Sequence, residues 1–292
     1  MNRGFIYTET VDGRGRGEAL LDYLASRYRH TSSGLWAERI AGGQVLVDGR
    51  RAAPDAVLRP GQIIVWNRPP WSEPEAPLHY AELHRDGHLL AVAKPPGLPT
   101  LPGAGFLEHT LLALVRRRHP GAAPVHRLGR GTSGIVLFAM TPEAARRLEA
   151  SWRGRDVTKV YRALITGHPV QDAFTIETPI GPIAHPALGT VNGPSPSGKP
   201  SRSLVRVLER RDGRSLVEVT IETGRPHQIR IHLAAAGHPL VDDPFYDVGG
   251  AFKPNALPGD SGYLLHALRL SLPHPATGEP FTVSCPAPSG LN

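Results

Sequence analysis

SLVRVLERRDGRSLVEVTIETGRPHQIRIHLAAAG, residues 203 to 237, changes its hydrophobic period half-way along. Two β-rich runs of matching length flank Asp212-Gly213, a dipeptide suited to a tight hairpin turn, so residues 203 to 223 are predicted to form an antiparallel pair. After Pro226 the apolar residues shift to helical spacing, with Ile229, Leu233 and Ala236 on one face and Gly237 as the stop. A hairpin leading directly into a helix with one apolar face points to a mixed α+β domain built on a sheet.

The flanking sequence extends that pattern. TKVYRALITG alternates as a strand, HLLAVAKP and TSGIVLFAM read as strands, and LEHTLLALVRRRHP reads as a helix stopped at Pro120. Thr141-Pro142 supplies an N-cap and an N1 proline for the helix PEAARRLEASWRG. Residues 80–292 are therefore expected to be an α+β domain with a large, mixed, mostly antiparallel sheet. Its insert IGPIAHPALGTVNGPSPSGKP, 180 to 200, is rich in proline and glycine and predicts a long mobile loop.

Upstream, residues 67–79 carry four prolines and no periodicity, which predicts an extended linker. Before it, residues 1–66 form a smaller α+β unit. Leu20, Leu21, Leu24 and Tyr28 recur at helical spacing, and Leu35, Trp36 and Ile40 suggest a second helix ended by Gly42 and Gly43. Val45 and Val47 lead into the Asp48-Gly49 turn, and Ile63 to Val65 follow Pro60-Gly61.

Composition narrows the function. With 292 residues and 40% apolar content, disorder and fibre are excluded, and 32 glycines with 30 prolines indicate a loop-rich chain. The lone Cys285 cannot form an internal disulfide, no zinc-like Cys/His spacing occurs, and no run of 18 apolar residues appears. A cytoplasmic protein without membrane or metal partners is expected. The net charge of +7 favours a polyanionic partner, although only four of the 33 basic residues are lysines and such a bias also follows from coding composition.

Two resemblances follow from these segments. The apolar helix, IAGGQVLVDGRRA and LRPGQIIVW resemble the small RNA-binding domain first seen in a ribosomal small-subunit protein. There Arg14, Arg16, Arg27, Arg29 and Arg39 would be the phosphate contacts. The segments KPPGLPTLPG (94 to 103), HRLGRGTSGIVLFA (126 to 139), KVYRALITG (159 to 167), GRPHQIRIHLAAAGHPLVDDPFY (224 to 246) and LLHALRLSLPHPATGE (264 to 279) resemble, in order and spacing, the RluA-type pseudouridine synthases. That family isomerises uridine in ribosomal or transfer RNA after flipping it into a pocket, with no cofactor and no metal.

The resemblance implies roles residue by residue. Tyr161 would stack on the flipped base and assist loss of the carbon 5 proton, and Arg127 would fill the space left in the RNA. His126, Arg130, Thr132, His227, Gln228 and Lys94 would belong to the RNA-contacting surface. Arg116, Arg117 and Arg118 line an RNA groove or simply sit solvated at a helix end. Arg230 would pair with the catalytic aspartate, but the family's His-Arg-Leu-Asp reads His126-Arg127-Leu128-Gly129 here. Glycine can neither attack the anomeric carbon nor abstract a proton, so the expectation is an altered site in which Asp242 supplies the missing charge. A non-catalytic RNA-binding protein that retains the synthase fold stays open as the alternative.

Overall fold

The computed structural model describes residues 1–186, 188–253, 256–257 and 259–292. They form two compact units, Met1–Glu73 and Pro74–Asn292.

The first unit contains β1 (Phe5–Thr10), α1 (Leu20–Arg27), α2 (Ser33–Ala41), β2 (Val45–Val47), β3 (Arg50–Arg51) and β4 (Ile63–Arg68), with the sheet ordered β1-β4-β2-β3. The Ser32 hydroxyl caps α2 by accepting the Leu35 N–H at 3.3 Å. Leu20, Leu24, Trp36, Ile40, Val45 and Ile64 close a single core, using the periodic positions of both helices. β1 went unpredicted because FIYTET is largely exposed and lacks a buried alternating face.

The second unit comprises β5 (Ala81–Arg85), β6 (Leu89–Lys94), α3 (Leu111–Arg118), β7 (Ala123–Pro124), β8 (Ser133–Ala139), α4 (Pro142–Gly154), β9 (Thr158–Thr166), β10 (Ala173–Ile176), β11 (Ile180–His185), β12 (Gly189–Pro194), β13 (Ser203–Arg211), β14 (Arg214–Ile221), α5 (Gln228–Ala235), β15 (Leu265–Pro273) and β16 (Pro280–Ser284). Among the described residues, ten strands share one sheet with the path β10-β13-β14-β9-β15-β8-β6-β5, while β16 pairs β15 and β7 pairs β8. β15 runs parallel to β8, and the other pairings are antiparallel.

The sheet is covered on both faces where β6 and β8 pass through it, which explains their unbroken apolar runs. Leu90, Val92, Val136 and Phe138 belong to one core with Leu111, Leu114 and Val115 of α3 and Ile229 and Leu233 of α5, while Leu89, Ala91, Ile135 and Leu137 belong to another with Ala144 and Leu148 of α4. Gly134 permits the β8–β15 contact. Its φ is +105°, and a Cβ there would lie 2.3 Å from the Ala267 carbonyl oxygen.

Two expectations need correction. The insert expected to be a long mobile loop contains an antiparallel ribbon, β11 and β12, with Pro182 opposite Asn192. A two-stranded ribbon has free edges, which is where proline is tolerated in a strand. The second concerns α5, which begins at Gln228 and not at Pro226, because His227 adopts a left-handed φ of 57°. Residues Gln228 to Ala234 are all buried. The ribbon explains part of this, since Ile180 and Val191 pack with Ile231 and Ala234 on the side of α5 away from the sheet.

Candidate active site

Where the loop before β8, the middle of β9, the end of β14 and the start of α5 converge, they enclose a cavity of about 450 Å³. Tyr161, Arg127, Gly129, Arg130, Thr132, His227, Gln228 and Arg230 all line it. Residues separated by a hundred positions thus share one concavity.

Tyr161 sits on β9 between Val219 of β14 and Ala267 of β15. Burial pushes its phenol up to about 12, so it is protonated at neutral pH. Arg127 is exposed at the rim. Arg130 donates from Nε to the Gly259 carbonyl at 3.0 Å, and its guanidinium lies 5.7 Å from the Phe106 ring centre.

Arg230 is 3% exposed. Its Nε and Nη2 donate to Oδ2 and Oδ1 of Asp243, both at 2.7 Å, in a two-point pair. The guanidinium carbon lies over the rings of Tyr246 at 5.0 Å and Tyr263 at 4.3 Å. Burial works against the charge, yet the Asp243 hydrogen bonds leave the guanidinium pKa above its ordinary value. The expected partner, Asp242, is therefore corrected by one residue. Asp242 takes a left-handed φ of 58° and is exposed, whereas Asp243 is 1% exposed and also accepts the N–H groups of Phe245 and Tyr246. A turn through Asp242 directs the following side chain inward.

Several residues expected to touch RNA hold the walls. Gln228 accepts from the Thr223 hydroxyl and the Arg225 N–H, and donates to the Arg202 carbonyl and Ser203 Oγ. Lys94 is 1% exposed, and its Nζ donates to the carbonyls of Pro95, Leu98 and Arg130, tying the 95–100 loop to the segment that carries Gly129. Burial pulls its amine down to about 7. His227 pairs through Nδ1 with the Tyr246 hydroxyl at 3.0 Å, and burial followed by the charge of Arg230 lowers it to about 4.

His126 is not among the lining residues. Its Nε2 accepts the Leu137 N–H at 3.1 Å, and its ring stacks on Trp152 at 5.1 Å. Burial, and secondarily Lys159, holds it down to about 4, against about 6.5 in an unfolded chain. The unfolded chain therefore binds the proton more tightly between those values, so stability is expected to fall as pH drops from about 6.5 to 4. Urea midpoints across that range measure it, and a His126→Gln variant should show a shallower slope.

In the first unit, Arg14, Arg16, Arg27 and Arg29 are exposed. Arg27 is paired with Glu9 and with Asp12, and the Arg39 guanidinium lies over the rings of Trp36 and Trp66 at 4.7 and 4.2 Å. Tyr263, which nothing in the sequence reading singled out, also lines the cavity. Among the described residues no cluster of His, Cys, Asp or Glu is grouped to hold a metal ion.

The model of the RNA pseudouridylate synthase family matches residues 88–235, the span that carries Tyr161, Arg127 and Arg230. The chain belongs to that family. It is 41% identical over 276 residues to an uncharacterised RNA pseudouridine synthase of Synechocystis sp., covering 93% of this chain and 95% of the relative. RNA pseudouridine synthase 5 of Oryza sativa is 37% identical over 98% of this chain and 88% of its own length. Ribosomal large subunit pseudouridine synthase D of Xanthomonas campestris is 34% identical over 99% and 90%. Human RNA pseudouridylate synthase domain containing 1 superposes with a TM-score of 0.61 at 28% identity, covering 76% of this chain and 89% of that one. RluA-type membership and the α+β synthase fold agree with the sequence reading. Within this family of RNA-modifying isomerases, residue 129 of this chain is a glycine on the cavity wall.

Proposed function

We propose that the chain converts uridine to pseudouridine in structured ribosomal or transfer RNA, drawing the target nucleotide out of its helix into the cavity. The observation that carries this reading is the meeting of Tyr161, Arg127 and Arg230 on one concavity of about 450 Å³ in a member of this family. That volume suits one nucleoside. The Tyr161 ring offers a stacking face for the extruded uracil, and Arg127 at the rim fills the vacated place in the helix. Arg130 and Arg225 on the wall provide phosphate contacts, as do the exposed arginines of the first unit.

The bond from nitrogen 1 to the sugar breaks, the base turns, carbon 5 takes over the bond, and the carbon 5 proton leaves. With its phenol held protonated, Tyr161 relays that proton and does not abstract it as a phenolate. One observation favours a second reading, a non-catalytic RNA binder: no Asp or Glu lines the cavity among the described residues.

Unmodified ribosomal and transfer RNA transcripts labelled with tritium at carbon 5 of uridine separate the two. Tritium release with pseudouridine in the digest is the expected result, and ribosomal RNA is the first transcript to try because the large-subunit relatives span nearly the whole chain. Tight, salt-sensitive binding with no release on any transcript would favour the binder.

A further inference from the structure

The side chains missing at Gly129 and Gly131 leave room that another residue occupies. A Cβ at Gly129 would lie 3.2 Å from the Tyr263 hydroxyl oxygen, and one at Gly131 would lie 2.9 Å from Cζ of the same ring. Tyr263 reaches this place from the segment leading into β15, is 4% exposed, and lines the cavity. Its hydroxyl shares a hydrogen bond with Thr132 Oγ1 at 3.2 Å, and the Arg230 guanidinium lies 4.3 Å from its ring centre. The phenol oxygen thus stands against the position from which an aspartate at residue 129 would project, beside the arginine that the family pairs with that aspartate.

We propose that Tyr263 replaces the missing carboxylate and that its hydroxyl oxygen is the nucleophile toward the anomeric carbon of the flipped uridine. This rests on the synthase reading above. Phenol oxygens perform this chemistry elsewhere, since sialidases cleave glycosidic bonds with a tyrosine nucleophile. In the first step the Tyr263 oxygen bonds to the anomeric carbon as the bond from that carbon to nitrogen 1 breaks. Its electron pair stays on nitrogen 1, which takes the phenolic proton. The freed uracil turns in the cavity. In the second step carbon 5 bonds to the anomeric carbon, the bond to the Tyr263 oxygen breaks with its pair on the oxygen, and the carbon 5 proton passes by way of the Tyr161 hydroxyl to that phenolate. Atoms and charge balance, and no co-reactant is needed. Arg127, Arg130, Arg225 and Arg230 on the cavity wall stabilise the negative charge that develops on the phenol oxygen and on the departing base.

The test pairs a kinetic variant with a covalent trap. Tyr263→Phe keeps the ring against Arg230 and removes only the nucleophilic oxygen. It is expected to lower kcat by about a hundredfold or more, with RNA affinity and the thermal midpoint near those of the native chain. RNA carrying 5-fluorouridine, whose fluorine weakens carbon 5 as a nucleophile and slows the second step, is expected to leave the ribose phosphate without its base on the tryptic peptide containing Tyr263. Retention of more than about a tenth of native kcat by Tyr263→Phe overturns the proposal. So does a ribose phosphate mass on any other residue, or none at all, and this trap decides the matter if the variant fails to fold. These results leave the synthase reading standing whenever the native chain makes pseudouridine. A native chain that makes none on any transcript overturns that reading directly, and this proposal with it.

Discussion

Asp243→Ala is expected to destabilise the second unit by about 3–5 kcal/mol, because it leaves the Arg230 guanidinium buried without its counter-charge. The two-point pair at 2.7 Å is sealed from water, with Asp243 1% and Arg230 3% exposed, so solvent screening does not soften the loss. The same carboxylate accepts the N–H groups of Phe245 and Tyr246, and those donors would be stranded as well. The urea midpoint reads the effect. Asp242→Asn next door preserves a residue type that tolerates the left-handed turn, and should move stability by no more than about 0.5 kcal/mol. The double change Arg230→Met with Asp243→Leu should recover the part of the loss that comes from the unpaired charge, since apolar pairs of similar volume replace buried ion pairs well, while the N–H groups of Phe245 and Tyr246 stay without their acceptor. It should not recover pseudouridine formation. Equal losses for Asp242→Asn and Asp243→Ala would refute the assignment of the partner.

Tyr161→Phe is the second large effect, and it falls on turnover. The ring is 9% exposed and packed in the sheet core, so phenylalanine keeps both the packing and the stacking face. Only the proton relay is lost, and kcat is expected to fall by roughly 10²–10⁴ with RNA affinity nearly unchanged. Tyr161→Ala should in addition weaken RNA binding by about 1–3 kcal/mol through loss of the stacking surface. Tritium release and filter binding on the same RNA distinguish these outcomes. A Tyr161→Phe protein with native turnover would confine the residue to stacking.

Where local chemistry and tertiary structure agree, the sequence was informative. Asp212-Gly213 sits in the β13–β14 hairpin, and Thr141 caps α4 by accepting the Ala144 N–H at 3.1 Å. The β11–β12 ribbon was misread because Pro182, Gly189, Gly193 and Pro194 have weak strand propensity, and the packing of Ile180 and Val191 on α5 overrides it. β1 was missed for the opposite reason, since its side chains face outward and leave no apolar alternation.

The site shows the same division. Tyr161 and Arg230 could be placed from their motifs, but which of two adjacent aspartates faces Arg230 depends on a backbone torsion at Asp242 that residue type leaves open. Tyr263 was less accessible still. Its only signal is the paired glycines at 129 and 131, and the ring that uses their space lies more than a hundred residues further along the chain.

The stack of His126 on Trp152 also gives the molecule an optical handle. A protonated imidazole against an indole quenches its emission, so acid titration should dim Trp152 as the ring takes its proton. Trp36, Trp66 and Trp71 all lie in the first unit, which makes Trp152 the sole indole of the second. Fluorescence from a Trp152→Phe protein would then report melting of the first unit alone, and its difference from native emission would follow the other unit in the same cuvette.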